Sequence, residues 1–184
     1  MLEDGPQPGS FSSSPSLSQD VLRRLRPLRL LCLDVDGVLS DGFLYFSGGD
    51  GDATWSQRFS VRDGVGLKLL MQDGVKVAIL SEGGIASARI RAAGLGIEHA
   101  YFKLKDKLAA FANLCREFGL SAEQAAFIGD EVTDIPLLRT VGLACTVPDA
   151  VDEVKDSVHY VTQRPGGGGA VRELADLIRR HRAR

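Results

Sequence analysis

Three short apolar runs each end on a residue that can do chemistry: Arg29–Leu33 stops at Asp34, Lys76–Leu80 at Ser81, and Ala125–Gly129 at Asp130. Continuous apolar runs of this length are the mark of strands covered on both faces, as in a parallel sheet. Between them lie stretches with apolar spacings of three and four, over Gly64–Gln72, Ile85–Ala93, Lys107–Phe118 and Val132–Thr140, which predict helices. Shorter strands are expected near His99–Phe102, Leu143–Val147 and His159–Thr162, and a closing helix from Ala170 to about Arg180. The segment Phe43–Ser60 breaks this rhythm. Its aromatic and β-branched ends flank a Gly/Asp-rich turn, a β-hairpin signal directly after the first strand. Strand alternating with helix predicts an α/β protein with a Rossmann-like parallel sheet, helices on both faces, and an inserted β-hairpin.

Composition narrows the class. The 184 residues, 44% hydrophobic and 25% charged, suit one domain with a substantial core. Residues 1–20, rich in Ser, Pro and Gly, predict a mobile tail ahead of a domain spanning 21–184. With 22 basic and 24 acidic residues in mixed order, net charge −2, no nucleic-acid footprint is expected. Cys32, Cys115 and Cys145 are far apart in apolar contexts, which predicts buried reduced thiols rather than disulfides. No apolar stretch approaches the roughly 18 residues of a membrane span, so a cytoplasmic protein without a membrane partner is expected.

In an open parallel sheet, ligands bind at the carboxyl ends of the strands. Asp34, Asp36, Ser81 and Asp130 all fall there and are therefore expected to meet. Carboxylates sharing a small site repel and lose hydration, so they need a proton or a cation, and hard oxygen ligands suit Mg²⁺. Gly37 permits a tight turn, Ser81 offers a hydroxyl, and Lys107 opens a helix behind a capping Asp106. Asp134 lies one helical turn beyond Asp130. Taken singly, each of these also reads as an ordinary turn, capping or solvated residue.

In this order, Asp34-Val35-Asp36-Gly37-Val38-Leu39, Ser81, Lys107 and Gly129-Asp130 with Asp134 resemble the four motifs of the haloacid dehalogenase superfamily of phosphatases. The stretches LDVDGVLSDG, FSVRDGVGLKLL, KVAILSE, KDKLAAF, AAFIGDEVTDIPLL and GGGGAVRE resemble more closely its small capless branch, the 3-deoxy-D-manno-octulosonate 8-phosphate phosphatase group. That branch also holds phosphatases of nine-carbon keto sugar acid phosphates and the C-terminal domain of N-acylneuraminate cytidylyltransferases, which leaves a non-catalytic oligomerisation module as an alternative.

The resemblance implies Asp34 as nucleophile, Asp36 as general acid and base with its carbonyl on the metal, and Ser81 and Lys107 on the phosphoryl oxygens. It implies Mg²⁺ held by Asp34, Asp36 and Asp130, with Asp134 orienting Lys107 or the metal's waters. It places Arg62, Gly83, Gly167 and Gly168 toward the substrate, a phosphorylated sugar acid. It implies a homotetramer whose hairpins associate and whose glycine-rich segment from Pro165 closes over the site. The chain departs from the group at Ser81-Glu82-Gly83, where Thr-Gly-Arg is usual, at Glu131, where Asp is common, and at Gly168, where Arg is frequent.

Overall fold

The computed structural model describes residues 17–49 and 54–183. Ser18 opens helix α1 (Gln19–Leu25) by accepting the Val21 N–H on its hydroxyl at 3.2 Å. Helix α1 thus begins two residues ahead of the domain start expected at residue 21. Residues 1–16 of the expected tail lie outside the described residues, whereas Leu17 already packs against the core.

Six strands, β1 (Leu30–Leu33), β4 (Lys76–Leu80), β5 (His99–Tyr101), β6 (Ala125–Ile128), β7 (Leu143–Thr146) and β8 (Tyr160–Val161), form one sheet in the order β5-β4-β1-β6-β7-β8. Every pairing in it is parallel. Strands β2 (Tyr45–Ser47) and β3 (Thr54–Ser56) pair antiparallel as a separate hairpin, with Phe46 opposite Trp55. Every residue of β1, β6 and β7 is buried, so helices cover both faces of the central sheet. The flanking helices are α2 (Val61–Gln72), α3 (Ala86–Leu95), α4 (Lys107–Phe118), α5 (Ile135–Leu138), α6 (Asp152–Lys155) and α7 (Ala170–His181).

The chain leaves β1 toward β4 and β5, then returns through α4 to β6 on the other side of β1. This reversal beside β1 opens a crevice at the strands' carboxyl ends. The first residue past each strand stays in the ladder: Asp34 N–H donates to Ile128 O at 3.0 Å, Ser81 N–H to Tyr101 O at 3.0 Å, and Gly129 N–H to Cys145 O at 3.3 Å. The sheet itself thus fixes where the site residues begin.

One expectation needs correction. The helix expected over Val132–Thr140 is a 3-10 turn, Val132–Asp134, followed by the short α5. Within it, Asp134 folds its carboxylate back to accept from the N–H groups of Asp130 and Glu131, at 3.1 and 3.3 Å. The glycine run from Pro165 is held against its own chain. Gly167 N–H donates to Val38 O at 3.0 Å, and a Cβ on Gly166 would lie 1.7 Å from Gly37 O, so the run is packed against the turn after β1. It leads into α7, whose Ala170, Val171, Leu174, Ala175 and Ile178 are core residues. Buried Asp63 of α2 supplies the cap that Gly169 lacks by accepting the Arg172 N–H at 2.7 Å. Among the cysteines, Cys32 and Cys145 are buried and Cys115 is only half-buried; all three are free. No helix among the described residues is long and apolar enough to cross a membrane.

Candidate active site

The turn after β1 is built around two glycine requirements. Gly37 has φ +76°, and a Cβ there would lie 2.0 Å from Asp130 Oδ2, so a side chain would push Asp130 out of the crevice. Ser40 closes the turn, its N–H at 2.8 Å and its hydroxyl at 3.2 Å from Val35 O. Asp34, Asp36, Gly37, Gly83, Lys107 and Asp130 then share the wall of one cavity of about 240 Å³ with Gly42, Glu82, Glu131 and Thr133.

Lys107 enters from the first turn of α4, a helix capped by Asp106, which accepts the Ala109 N–H at 2.8 Å. Its Nζ lies 2.7 Å from Asp134 Oδ1 and 3.2 Å from Asp34 Oδ2, with all three side chains almost fully buried. Burial alone would lower the lysine's pKa, but the two carboxylates raise it above the usual value, so Lys107 is cationic. Burial pushes Asp34 up, assisted by the Asp134 charge and opposed by Lys107. Asp130 rises to about 8, through burial first and then the charges of Asp34 and Asp134.

One ammonium therefore serves three crowded carboxylates. Oxygens of Asp34, Asp130 and Asp134 can lie within 4.8 Å of one another. The oxygens of Asp134 are taken, one by Lys107 and the other by two backbone N–H groups. In contrast, Asp34 Oδ1 and Asp130 Oδ1 are buried without a hydrogen-bond partner. Unpaired buried carboxylate oxygens are costly unless a cation meets them. This donor set fits a hard divalent cation on Asp34 and Asp130, with Asp134 holding Lys107 and the turn.

Asp36 is half-buried on the other side of the cavity and shifted upward, mainly by desolvation. Its Oδ1 accepts from the Gln57 side-chain amide, and a Cβ on Gly83 would lie 2.4 Å from its Oδ2. Ser81 sits just beneath; its buried hydroxyl accepts the Gly83 N–H at 3.1 Å.

Three residues expected near the substrate are placed elsewhere within this chain. Arg62 is exposed and lines a separate hollow with Arg164 and Arg172. Gly167 and Gly168 pack on the turn after β1 and on Pro165, outside the wall of the Asp34 cavity. Gln57, Glu82 and Thr133 are the additions. No spacing marks Gln57, since it follows a hairpin strand, and a lone polar residue there reads as solvated. Glu82, Lys107 and Thr133 also line an adjoining hollow of about 620 Å³ with Lys103 and Lys105, which extends the crevice outward.

A parallel α/β sheet ending in a paired-aspartate turn, a buried lysine and an acidic pair is the architecture of the haloacid dehalogenase-like hydrolases, whose family description matches residues 85–174. The 3-deoxy-D-manno-octulosonate 8-phosphate phosphatase KdsC of Yersinia pestis is 41% identical over 162 residues, covering 88% of this chain and 85% of the relative. The corresponding enzyme of Escherichia coli K12 is 40% identical over the same shares. Among solved structures, the enzyme from Moraxella catarrhalis, in complex with magnesium ion, phosphate ion and a KDO molecule, superposes with a TM-score of 0.84 at 33% identity, covering 89% of this chain and 92% of that one. The chain belongs to the 3-deoxy-D-manno-octulosonate 8-phosphate phosphatase family of haloacid dehalogenase-like hydrolases, and it is a phosphatase. The non-catalytic alternative gives way.

Proposed function

We propose that this phosphatase hydrolyses a sugar-acid phosphate of the 3-deoxy-D-manno-octulosonate 8-phosphate type through an aspartyl-phosphate on Asp34. The observation that carries this is the buried carboxylate of Asp34, held at 3.2 Å by Lys107 and facing Asp36 across one small cavity.

An Asp34 oxygen attacks phosphorus as the ester P–O bond breaks, and Asp36 gives its proton to the departing alkoxide. Water then attacks the same phosphorus, Asp36 takes its proton back, and phosphate leaves with Asp34 restored. Lys107 and the Ser81 turn hold the phosphoryl oxygens and offset their growing charge. Asp34, Asp130 and the Asp36 carbonyl would hold Mg²⁺, which when bound supplies further neutralisation of the phosphoryl group. The adjoining hollow, with Lys103 and Lys105 on its wall, gives room and positive charge for the acid end of the substrate.

Gly83 in place of a long side chain, beside Glu82 on the cavity wall, favours a second substrate within the same chemistry, a nine-carbon keto sugar acid phosphate. The exposed aromatics of the hairpin support a homotetramer, and the absence of a spanning helix among the described residues is consistent with a cytoplasmic setting. Turnover of a panel holding both acids, their neutral counterparts and simple alkyl phosphates tests the reading. An eight-carbon acid phosphate at the top of the panel supports it; preference for a neutral sugar phosphate contradicts it.

A further inference from the structure

The acid–base aspartate does not stand alone. Gln57, two residues of chain short of Phe59, reaches from the end of β3 into the crevice and donates its side-chain N–H to Asp36 Oδ1. Its other end is also fixed: Ser87 Oγ, in the first turn of α3, donates to Gln57 Oε1 at 3.2 Å. A carboxylate can only accept, so the amide must turn its NH₂ to Asp36 and its oxygen to Ser87. On the opposite side Asp36 Oδ2 lies against Gly83, where any Cβ would collide at 2.4 Å. The carboxylate is thereby held by the Gln57 amide, and there is no room beside it for a side chain at position 83.

The base of the hairpin sets this reach. Asp41 accepts from Tyr45 Oη at 2.6 Å and pairs with Arg58 Nε at 2.9 Å, while Ser40 bridges Phe59. These ties flank Gln57 on both sides in sequence. They fix where its side chain begins.

We infer that Gln57, steadied by Ser87, is a positioning residue that aims the Asp36 carboxyl at the leaving oxygen. The inference rests on the proposed role of Asp36 as general acid. A positioned acid contributes roughly 10²–10⁴ in rate, but only where the leaving group needs a proton. Loss of aim therefore slows an alkyl phosphate, whose alkoxide leaves poorly, far more than 4-nitrophenyl phosphate, whose phenolate leaves unaided.

The test measures kcat/KM on both esters, because this ratio covers the chemistry up to loss of the leaving group. Gln57→Leu, of similar bulk but without a donor, is expected to widen the alkyl-to-aryl gap by about tenfold or more. Gln57→His, whose neutral ring can donate to Asp36 and accept from Ser87, is expected to restore part of it. Ser87→Ala is expected to shift the gap the same way by a smaller factor, and serves if Gln57→Leu does not fold. Asp36→Asn is the control and should widen the gap most. If Asp36→Asn widens it and the Gln57 and Ser87 variants lower both esters equally, or neither, the positioning role is overturned and the acid stands. If Asp36→Asn itself leaves the gap unchanged, the acid assignment falls and the role of Gln57 with it.

Discussion

Lys107 Nζ lies 2.7 Å from Asp134 Oδ1, and both side chains are closed to solvent. Asp134 also caps its own turn, so this pair joins α4 to the strand-end loop that carries Asp130.

Removing either partner of such a buried pair leaves a charge without its counterpart. Asp134→Ala is expected to lower stability by about 3–5 kcal/mol, and activity at least about a hundredfold in the folded fraction. Denaturant titration with parallel kinetics checks this; a loss below about 1 kcal/mol would show that Asp134 is dispensable.

Asp130 gives a prediction with a definite sign. Its folded pKa, about 8, lies above the ordinary value of 3.8, so the metal-free folded state binds the extra proton between these limits. Stability from this group is full below about pH 4 and falls as pH rises through 8. Asp130→Asn removes that penalty. At pH 8 without metal, the variant is expected to be more stable than wild type by on the order of 2 kcal/mol, and to gain nothing from Mg²⁺. Thermal melts at pH 6 and 8, with chelator or Mg²⁺, decide it. Equal Mg²⁺ stabilisation of both proteins would remove Asp130 from the metal site.

Lys103 is the one non-glycine residue with positive φ, +60°, among the described residues. Its N–H donates to Gly83 O at 2.9 Å and its stem lies over Gly84, which keeps the left-handed turn in place. A non-glycine residue in this region costs roughly 1–2 kcal/mol. Lys103→Gly is expected to recover about 1 kcal/mol, less the lost packing of the stem and the freedom glycine adds to the unfolded chain. A destabilised variant would show that the packing outweighs the backbone strain.

The hairpin leaves Phe43 69%, Phe46 56% and Trp55 55% exposed, with the rings of Phe46 and Trp55 5.1 Å apart. A two-stranded hairpin is marginal alone, and so much apolar area asks for a partner. Phe46→Ser with Trp55→Ser is expected to convert a tetramer to smaller species in light scattering while a chelator-sensitive aryl phosphatase activity persists. A monomeric wild-type protein would contradict the assembly.

Much of this was legible because strand burial and strand-end chemistry are both written locally. The runs ending at Asp34, Ser81 and Asp130 became adjacent strands, and Lys107 opened its helix where Asp106 predicts a cap. What was hidden depends on contacts distant in sequence. Asp134 bonds backward within a 3-10 turn where a helix was expected, which apolar spacing does not register. The glycine run reads as flexible, yet its missing side chains are what let it pack against Gly37 and Ser40. Gln57 acquired its place only when the hairpin base folded over Asp36, thirty residues of chain away from Ser87.

The central claim is that the phosphoryl group passes through Asp34. Asp36→Asn protein lacks the base that activates water, so it should accumulate the acyl phosphate when mixed with 4-nitrophenyl phosphate and Mg²⁺. Acid quench, borohydride reduction and peptide mass spectrometry then read the site. Homoserine at position 34 is the predicted result. Homoserine at another aspartate, or none while nitrophenol is released in a burst, would contradict it.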